Sequence, residues 1–471
     1  MSNYPAYLSY YLKEFSGVST ATFKVPPQAS AALGAHKQMS FCLPTNTLVS
    51  CKDIRLIFSA STTVNGTSKA ARLPAAKSLI ERIVVTAGGI QIDSGISNQN
   101  VLEQALDNMK AREHDPVDSH SQMVRNWNGY NNIAFGGADG APERTIAETY
   151  NSTNAATQFS VDLGNFFRTV SPNMLDLSLM PEITVTIYTA DNSVITSGLA
   201  TGTVANFTTA GDNQTTYEIS NYSLLVPCYS IDDGMYQKVI QARMADSGYL
   251  TCSWDGYDAF NDTFNGVTRC ASAASSLDKI IAVFRNANYN AKNGAVEVSG
   301  YNNLLVIANP LTQAATVALE QPATYGGAKY LSAPMNFTSP MANLPVGANY
   351  ADREPELAWS INSIRYPQFN ANLAAHYQLL KDAFEVDRTQ SQSYLEWLTN
   401  RFQVALRLNL PQSTAMRAKS GLDLRGSNSS ILLSNVSGDI KTGADESNVL
   451  LFLQSHRELR VGIGKTLQLI L

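Results

Sequence analysis

Two adjacent glycines, Gly88 and Gly89, constrain this chain more than any other pair of residues. They separate a β-branched run, Ile83 to Thr86, from a second short run with Ile90 and Ile92 on one face. Primed hairpin turns need positive φ, which glycine adopts without steric cost, so residues 78–94 are expected to form a β-hairpin. Asn98, Gln99 and Asn100 then precede Val101, Leu102, Leu106 and Met109 at helical spacing, which predicts a helix directly after the hairpin. The stretch has no histidine and only two carboxylates, Glu81 and Asp93. It reads as architecture rather than as an active site.

β-rich segments recur on both sides of it. Residues 39–43 and 53–64 read as strands, the second closing at Asn65-Gly66, a turn pair. Ile183, Val185 and Ile187 share one face, with Thr184, Thr186 and Tyr188 on the other, as in a half-buried strand. Residues 191–216 are rich in Gly, Ser, Thr and Asn, nearly uncharged, and read as a linker with a surface loop. A new strand is expected from Tyr217, followed by a helix from Asp232. Ile280 to Arg285 reads as a buried strand, 369–384 contains a helix using Leu373, His376, Leu379, Leu380 and Ala383, and Tyr394 to Leu398 reads as another. Residues 402–410 alternate. So do 459–471, where Leu459, Val461, Ile463, Leu467, Leu469 and Leu471 fall on one face of an expected final core strand.

Length sets the number of cores. At 471 residues the chain exceeds one ordinary core and suggests two domains. The expected division is an N-terminal arm at 1–37, a first domain at 38–190, the linker at 191–216 and a second domain at 217–471. Polar loops at 113–156 and 309–350 are long enough to read as functional or interfacial. In the arm, Tyr4, Tyr7, Leu8, Tyr11, Leu12 and Phe15 could line one face of a short helix before Pro26-Pro27. That face could lie on its own domain or dock on neighbours. Lipid contact is the weaker version, since Lys13 and Lys24 are the nearby cations.

Charged residues form 15% of the chain, against roughly 25% in average globular proteins. Low charge suits large areas buried between subunits, where charges are costly to desolvate. The net charge of −5, with no Lys/Arg block, argues against extensive nucleic-acid binding. Five scattered cysteines, Cys42, Cys51, Cys228, Cys252 and Cys270, form no CxxC pair and read as reduced thiols. No signal peptide and no membrane-spanning run is expected.

The order of these segments carries a resemblance. The run Leu79-Ile80-Glu81 through Gly88-Gly89 to Ile92-Asp93, followed by a helix, resembles the first jelly roll of the double jelly-roll major capsid proteins of icosahedral double-stranded DNA viruses. Gln158 to Arg168, with the Phe166-Phe167 pair, then Pro172, Leu175 and the strand at 183–188, resembles the segment that closes that jelly roll. The opening at 217–240 and the strands across 400–471 are similar to the second one. The resemblance implies an all-β fold of two eight-stranded jelly rolls with short helices and long loops. It also implies a structural protein, with no catalytic, cofactor or metal residues, forming pseudo-hexagonal homotrimeric capsomers. Implied partners are neighbouring capsomers, penton and minor capsid proteins and, through the arm, an inner membrane. The implied location is the virion, assembled inside the host cell.

Candidate chemistry is thin beside this. Gly462 to Thr466 looks like the end of a phosphate loop, but position 459 is leucine and no helix is expected after it. Glu113, His114, Asp115, Asp118 and His120 are metal-capable, yet lie in an irregular polar stretch. Asp255, Asp258 and Asp262 miss calcium-loop spacing. The reading from a different class is a carbohydrate-binding or carbohydrate-cleaving jelly-roll protein. It would want an aromatic platform, whereas Trp127, Trp254, Trp359 and Trp397 are spread singly.

Overall fold

A computed structural model describes residues 18–109, 157–286, 355–385 and 401–470 apart from short breaks (30, 65–67, 73–75, 195, 200–214, 232–233, 410–420, 426–428 and 443–445), with short pieces between 306 and 341, and Tyr394 and Trp397. It is built from antiparallel sheets that pair off into two sandwiches.

In the N-terminal unit one sheet runs Gln38–Cys42, Ile183–Thr189, Ile80–Ala87, Ile90–Asp93. The other runs Thr157–Asp162, Arg55–Val64, Thr215–Ile231, Leu48–Ser50, Met174–Asp176. The strand Ile183–Thr189 alternates as expected: Ile183, Val185 and Ile187 are buried, and Val185 sits between Phe41 and Val85 in register. Phe41 meets Tyr222 of the other sheet edge-to-face at 6.2 Å, so the two apolar faces close on one core.

The hairpin forms with the expected turn. Gly88 and Gly89 have φ of 55° and 83°, the positive pair that a type I′ turn requires, and Pro181 fills the space a Gly88 Cβ would need. The register then shifts between Val85/Asp93 and Thr86/Gln91, which leaves Ile92 as an extra residue. Ile90 and Ile92 therefore part company: Ile92 is buried and Ile90 exposed. The bulge also turns Asp93 inward. The helix follows as Gln99–Asp107, with Val101, Leu102 and Met109 buried and Leu106 half-buried.

In the C-terminal unit one sheet runs Tyr249–Thr263, Ser447–Gly462, Leu277–Asn286, Gln403–Arg407, with Thr466–Ile470 added to Ser447–Gly462. The other runs Val267–Ala271, Ser430–Ser437, Glu356–Ile361, Ile364–Asn372. Ile280 to Phe284 are buried throughout because the helix Leu373–Phe384 and the facing sheet cover the unit's central sheet.

Several expectations give way to tertiary context. The strand from 217 was expected to open the second jelly roll. Its hydrogen bonds instead run to Arg55–Val64, Leu48–Ser50 and Val18–Val25, all in the first. The arm accordingly contributes Val18–Val25 as an edge strand, ending just before Pro26-Pro27; its aromatic face at 4–15 lies outside the described residues. Within the linker, Thr196–Leu199 pairs with Ser68–Arg72. The helix expected within 369–384 does form, as Leu373–Phe384, where Asn372 caps it by accepting from the Ala375 N–H at 2.8 Å; residues 369–372 end a strand. Gln403–Arg407 does not alternate, since Gln403 through Leu406 are all buried.

The final run is not one strand. Ser447–Gly462 and Thr466–Ile470 form a hairpin, with Leu459 opposite Leu469 and Val461 opposite Leu467. Leu467 and Leu469 are half-buried rather than core, and Ile463 at the turn is 72% exposed. Alternation continues across a tight turn almost unbroken, so the sequence pattern alone does not separate strand from hairpin. The polar loop at 113–156 and most of 309–350 lie outside the described residues, as does nearly all of the helix expected at 394–398.

Candidate functional site at the seam between the two units

The most densely built polar region is where the two sandwiches meet. It centres on the helix Gln99–Asp107 and a short helix, Asn165–Thr169. Gly164 opens the short helix at φ 65°, with the Glu103 carboxylate occupying the space a side chain would take. The Phe166-Phe167 pair is thereby aimed in two directions. Phe166 packs edge-to-face on Trp254 of the C-terminal unit at 5.1 Å, and Phe167 closes on Phe166 at 5.2 Å.

Backbone bonds continue the joint. Ser171 and Ser253 exchange N–H donors and carbonyl acceptors at 2.7 and 2.9 Å. The Asp255 N–H donates to Thr169 Oγ1 at 3.1 Å, and Gln403 Nε2 donates to the Ala105 carbonyl at 3.1 Å. Tyr236 OH donates to Asp176 Oδ2 at 2.9 Å.

Beneath the joint lies a cluster of two cations and two anions, with Lys77 and Glu103 buried and Asp162 and Arg168 half-buried. Lys77 Nζ is 2.5 Å from Asp162 Oδ1 and 3.3 Å from Glu103 Oε2. Arg168 Nη2 is 2.7 Å from Asp162 Oδ2 and 2.8 Å from Glu103 Oε2. Burial alone would push both carboxyls up; the Lys77 and Arg168 charges overcome it and hold Glu103 and Asp162 well below the usual carboxylate range. Desolvation works against the two cations, and the paired carboxylates raise both. The balance of charge makes such burial tolerable.

Two further charged groups line the seam. Arg457 Nη2 is 2.8 Å from Asp258 Oδ1, and its Nη1 is 3.8 Å from Asp93 Oδ1 of the first unit. Burial raises the Asp93 carboxyl, opposed by Arg457 and the Gly95 N–H. On the strand Leu277–Asn286, Asp278 is raised by burial and by Asp255, whose Oδ1 is 3.6 Å from His456 Nδ1. Among the described residues, no group of three or more His, Cys, Asp or Glu side chains could hold a metal ion. Among the described residues the polar groups of the seam pair and pack with one another.

The sequence candidates fall apart in space. Gly462 to Thr466 is a hairpin turn, with Gly464 and Lys465 at φ 74° and 63°, so no helix N-terminus faces a phosphate. Asp255 and Asp258 sit on one strand with opposite parity, and Asp262 accepts from Thr268 Oγ1 at 2.7 Å. Glu113, His114, Asp115, Asp118 and His120 lie outside the described residues, as does Trp127. Trp254, Trp359 and Trp397 are fully buried and offer no platform for a sugar. All five cysteines are free; burial pushes the Cys51, Cys252 and Cys270 thiols up to about 12.

Sequence reasoning missed Lys77, Glu103, Asp162 and Arg168. Glu103 shares its helix face with Gln99, Asn100 and Asp107, a polar set that a solvated face would produce equally well.

No family model and no curated protein matches the sequence. Solved structures do match the fold. PBCV-1 VP54, as fitted into a reconstruction of the virophage Sputnik, aligns with a TM-score of 0.56 at 13% identity over 98% of both chains. The PBCV-1 virus capsid aligns at 0.53 and 13% identity, again over 98% of each chain. The Sputnik virophage structure aligns at 0.53 and 9% identity, over 98% of this chain and 89% of that one. The protein therefore has the double jelly-roll fold found in these viral shells.

Proposed function

We propose that this chain is a major capsid protein, a structural component of an icosahedral double-stranded DNA virus shell, and not an enzyme. The observation that carries the reading is coverage: 98% of this chain lies along 98% of PBCV-1 VP54, so both jelly rolls and their connection correspond. One jelly roll occurs in many unrelated proteins, whereas two fused in a single chain have a geometric use. Three such chains present six similar wedges, a pseudo-hexagonal block that tiles a facet with only threefold symmetry. The low charge fraction suits wide subunit contacts.

In this reading the units divide after Ile231, where the helix Gly234–Ser247 leads into Tyr249–Thr263; the pairing of Thr215–Ile231 with first-unit strands supports that placement. The protein acts in the virion, with itself and neighbouring capsomers as partners; penton and minor proteins and a membrane under the arm belong to the same reading. Light scattering of the purified protein at micromolar concentration tests it, together with negative-stain imaging. A trimer with hexagonal outline is expected, and a strict monomer or dimer overturns the proposal.

A further inference from the structure

The seam is held by two kinds of contact side by side. Around Phe166 and Trp254, aromatic packing and paired backbone bonds join the units. Beside them, at Arg457, the cross-strand partner of Trp254, packing is incomplete. A cavity of about 470 Å³ lies between Gln91, Ile92 and Ser94 of the first unit and Phe260, Ser455 and Leu469 of the second. Arg457 lines that cavity, and its side chain is only 5% exposed.

We infer that Arg457 is a positioning residue, a clasp that fixes the angle between the two jelly rolls by reaching from the second unit to Asp93 of the first. Three features prepare the contact. Gly256 has no side chain, and the guanidinium lies where its Cβ would be, so the arginine lies flat across the strand. Asp258 anchors Nη2 at 2.8 Å within the same unit, which sets the direction of the fork. On the other side, the extra residue at Ile92 turns Asp93 toward the seam, where Asp93 Oδ1 also accepts from the Gly95 N–H at 3.1 Å. Gly95, at φ 67°, is pressed against the Ile83 carbonyl, so the carboxylate stands on a fixed loop. On the cavity side of Trp254 this charge pair adds to the aromatic and backbone contacts in resisting rotation of one unit against the other.

The clasp can be tested on the isolated full-length chain, and only its consequence for assembly rests on the capsid reading. Asp93→Asn keeps the shape and the acceptor for Gly95 while removing the charge. Hydrogen exchange followed by mass spectrometry should rise at least about threefold over 90–96 and 253–258 in this variant, a modest value for a contact of this type. Protection of Leu277–Asn286 should be unchanged. Arg457→Met should give the same local change, and the double variant no more than either alone. Unchanged exchange at the seam in Asp93→Asn, or fully additive effects, overturns the clasp. If Arg457→Met does not fold, the Asp93→Asn exchange alone decides. In imaging, Asp93→Asn particles should keep their subunit number but show a wider spread of outlines. A wild-type protein that never forms trimers would defeat the capsid reading and leave the exchange result standing.

Discussion

Each jelly roll contains a hairpin followed by a helix that covers the sheets, and the two copies are built on opposite physical terms. In the first, Ile80–Ala87 and Ile90–Asp93 turn at Gly88-Gly89 and lead to the helix Gln99–Asp107. In the second, Glu356–Ile361 and Ile364–Asn372 turn at Asn362-Ser363, with φ of 50° and 69°, and lead to Leu373–Phe384. The second helix is amphipathic: Leu373, His376, Leu380 and Ala383 are buried, with Ala374, Gln378 and Asp382 exposed. The first is buried nearly all round, including Gln99, Asn100, Glu103, Gln104 and Asp107. The difference lies in what covers them. One helix keeps a face in water, while the other is caught between the two units and must satisfy its polar groups internally. The same motif thus serves as a lid in one unit and as a joint in the other.

The contrast predicts where each copy is vulnerable. Lys77→Met removes one partner of the buried cluster and should cost about 3–5 kcal/mol in urea unfolding, because Glu103 and Asp162 are left sharing one cation. Leu380→Ala in the second helix should cost about 2–5 kcal/mol by leaving a cavity, with no dependence on pH. Equal sensitivity of both variants to acid would break the comparison.

Acid itself should separate the copies. Glu103 and Asp162 have folded values below their unfolded ones, so their stabilisation is present above the ordinary carboxylate pKa of about 4 and is lost as pH falls through the folded values. Asp93 and Asp278 are raised and work the other way, costing stability as pH rises through their folded values. Burial also pushes the pKa of His376 down in the second helix, so the fold favours its neutral ring and loses stability as pH falls below the ordinary histidine value of about 6.5. Exchange at falling pH should therefore open 373–384 first and 99–107 with 165–169 only at lower pH, and Asp162→Asn should flatten that second response. An opening of 99–107 ahead of 373–384 would contradict it.

Smaller effects sharpen the picture at the edges. Asn372→Ala removes the cap of the second helix and should cost about 1 kcal/mol by thermal unfolding; the first helix, whose Asn98 makes no side-chain cap bond, has no such site to lose. In the C-terminal hairpin, Leu469→Ala should cost about 1 kcal/mol, roughly half the value of a fully buried leucine. Lys465→Ala should stay within about 0.5 kcal/mol and change no nucleotide affinity. A large effect of Lys465→Ala with a silent Leu469→Ala would mean that the turn, not the strand, is the functional element.

The sequence by itself determined the elements whose signals are local. The Gly88-Gly89 turn, the alternation of Ile183, Val185 and Ile187, and the buried run Ile280 to Phe284 depend on backbone sterics and on one apolar face, both written within a few residues. The order of those elements was enough to suggest two jelly rolls. The structure alone decided matters that depend on partners far along the chain. It paired Thr215–Ile231 with Arg55–Val64, Leu48–Ser50 and Val18–Val25, strands that lie far from it in the sequence. It folded residues 458–470 into a hairpin that preserves the alternation of a single strand. It also gathered Lys77, Glu103, Asp162 and Arg168 from four separate elements into one charge-balanced cluster. A charge looks the same in sequence whether it meets water or its counter-charge, and only the fold brings the counter-charge to it.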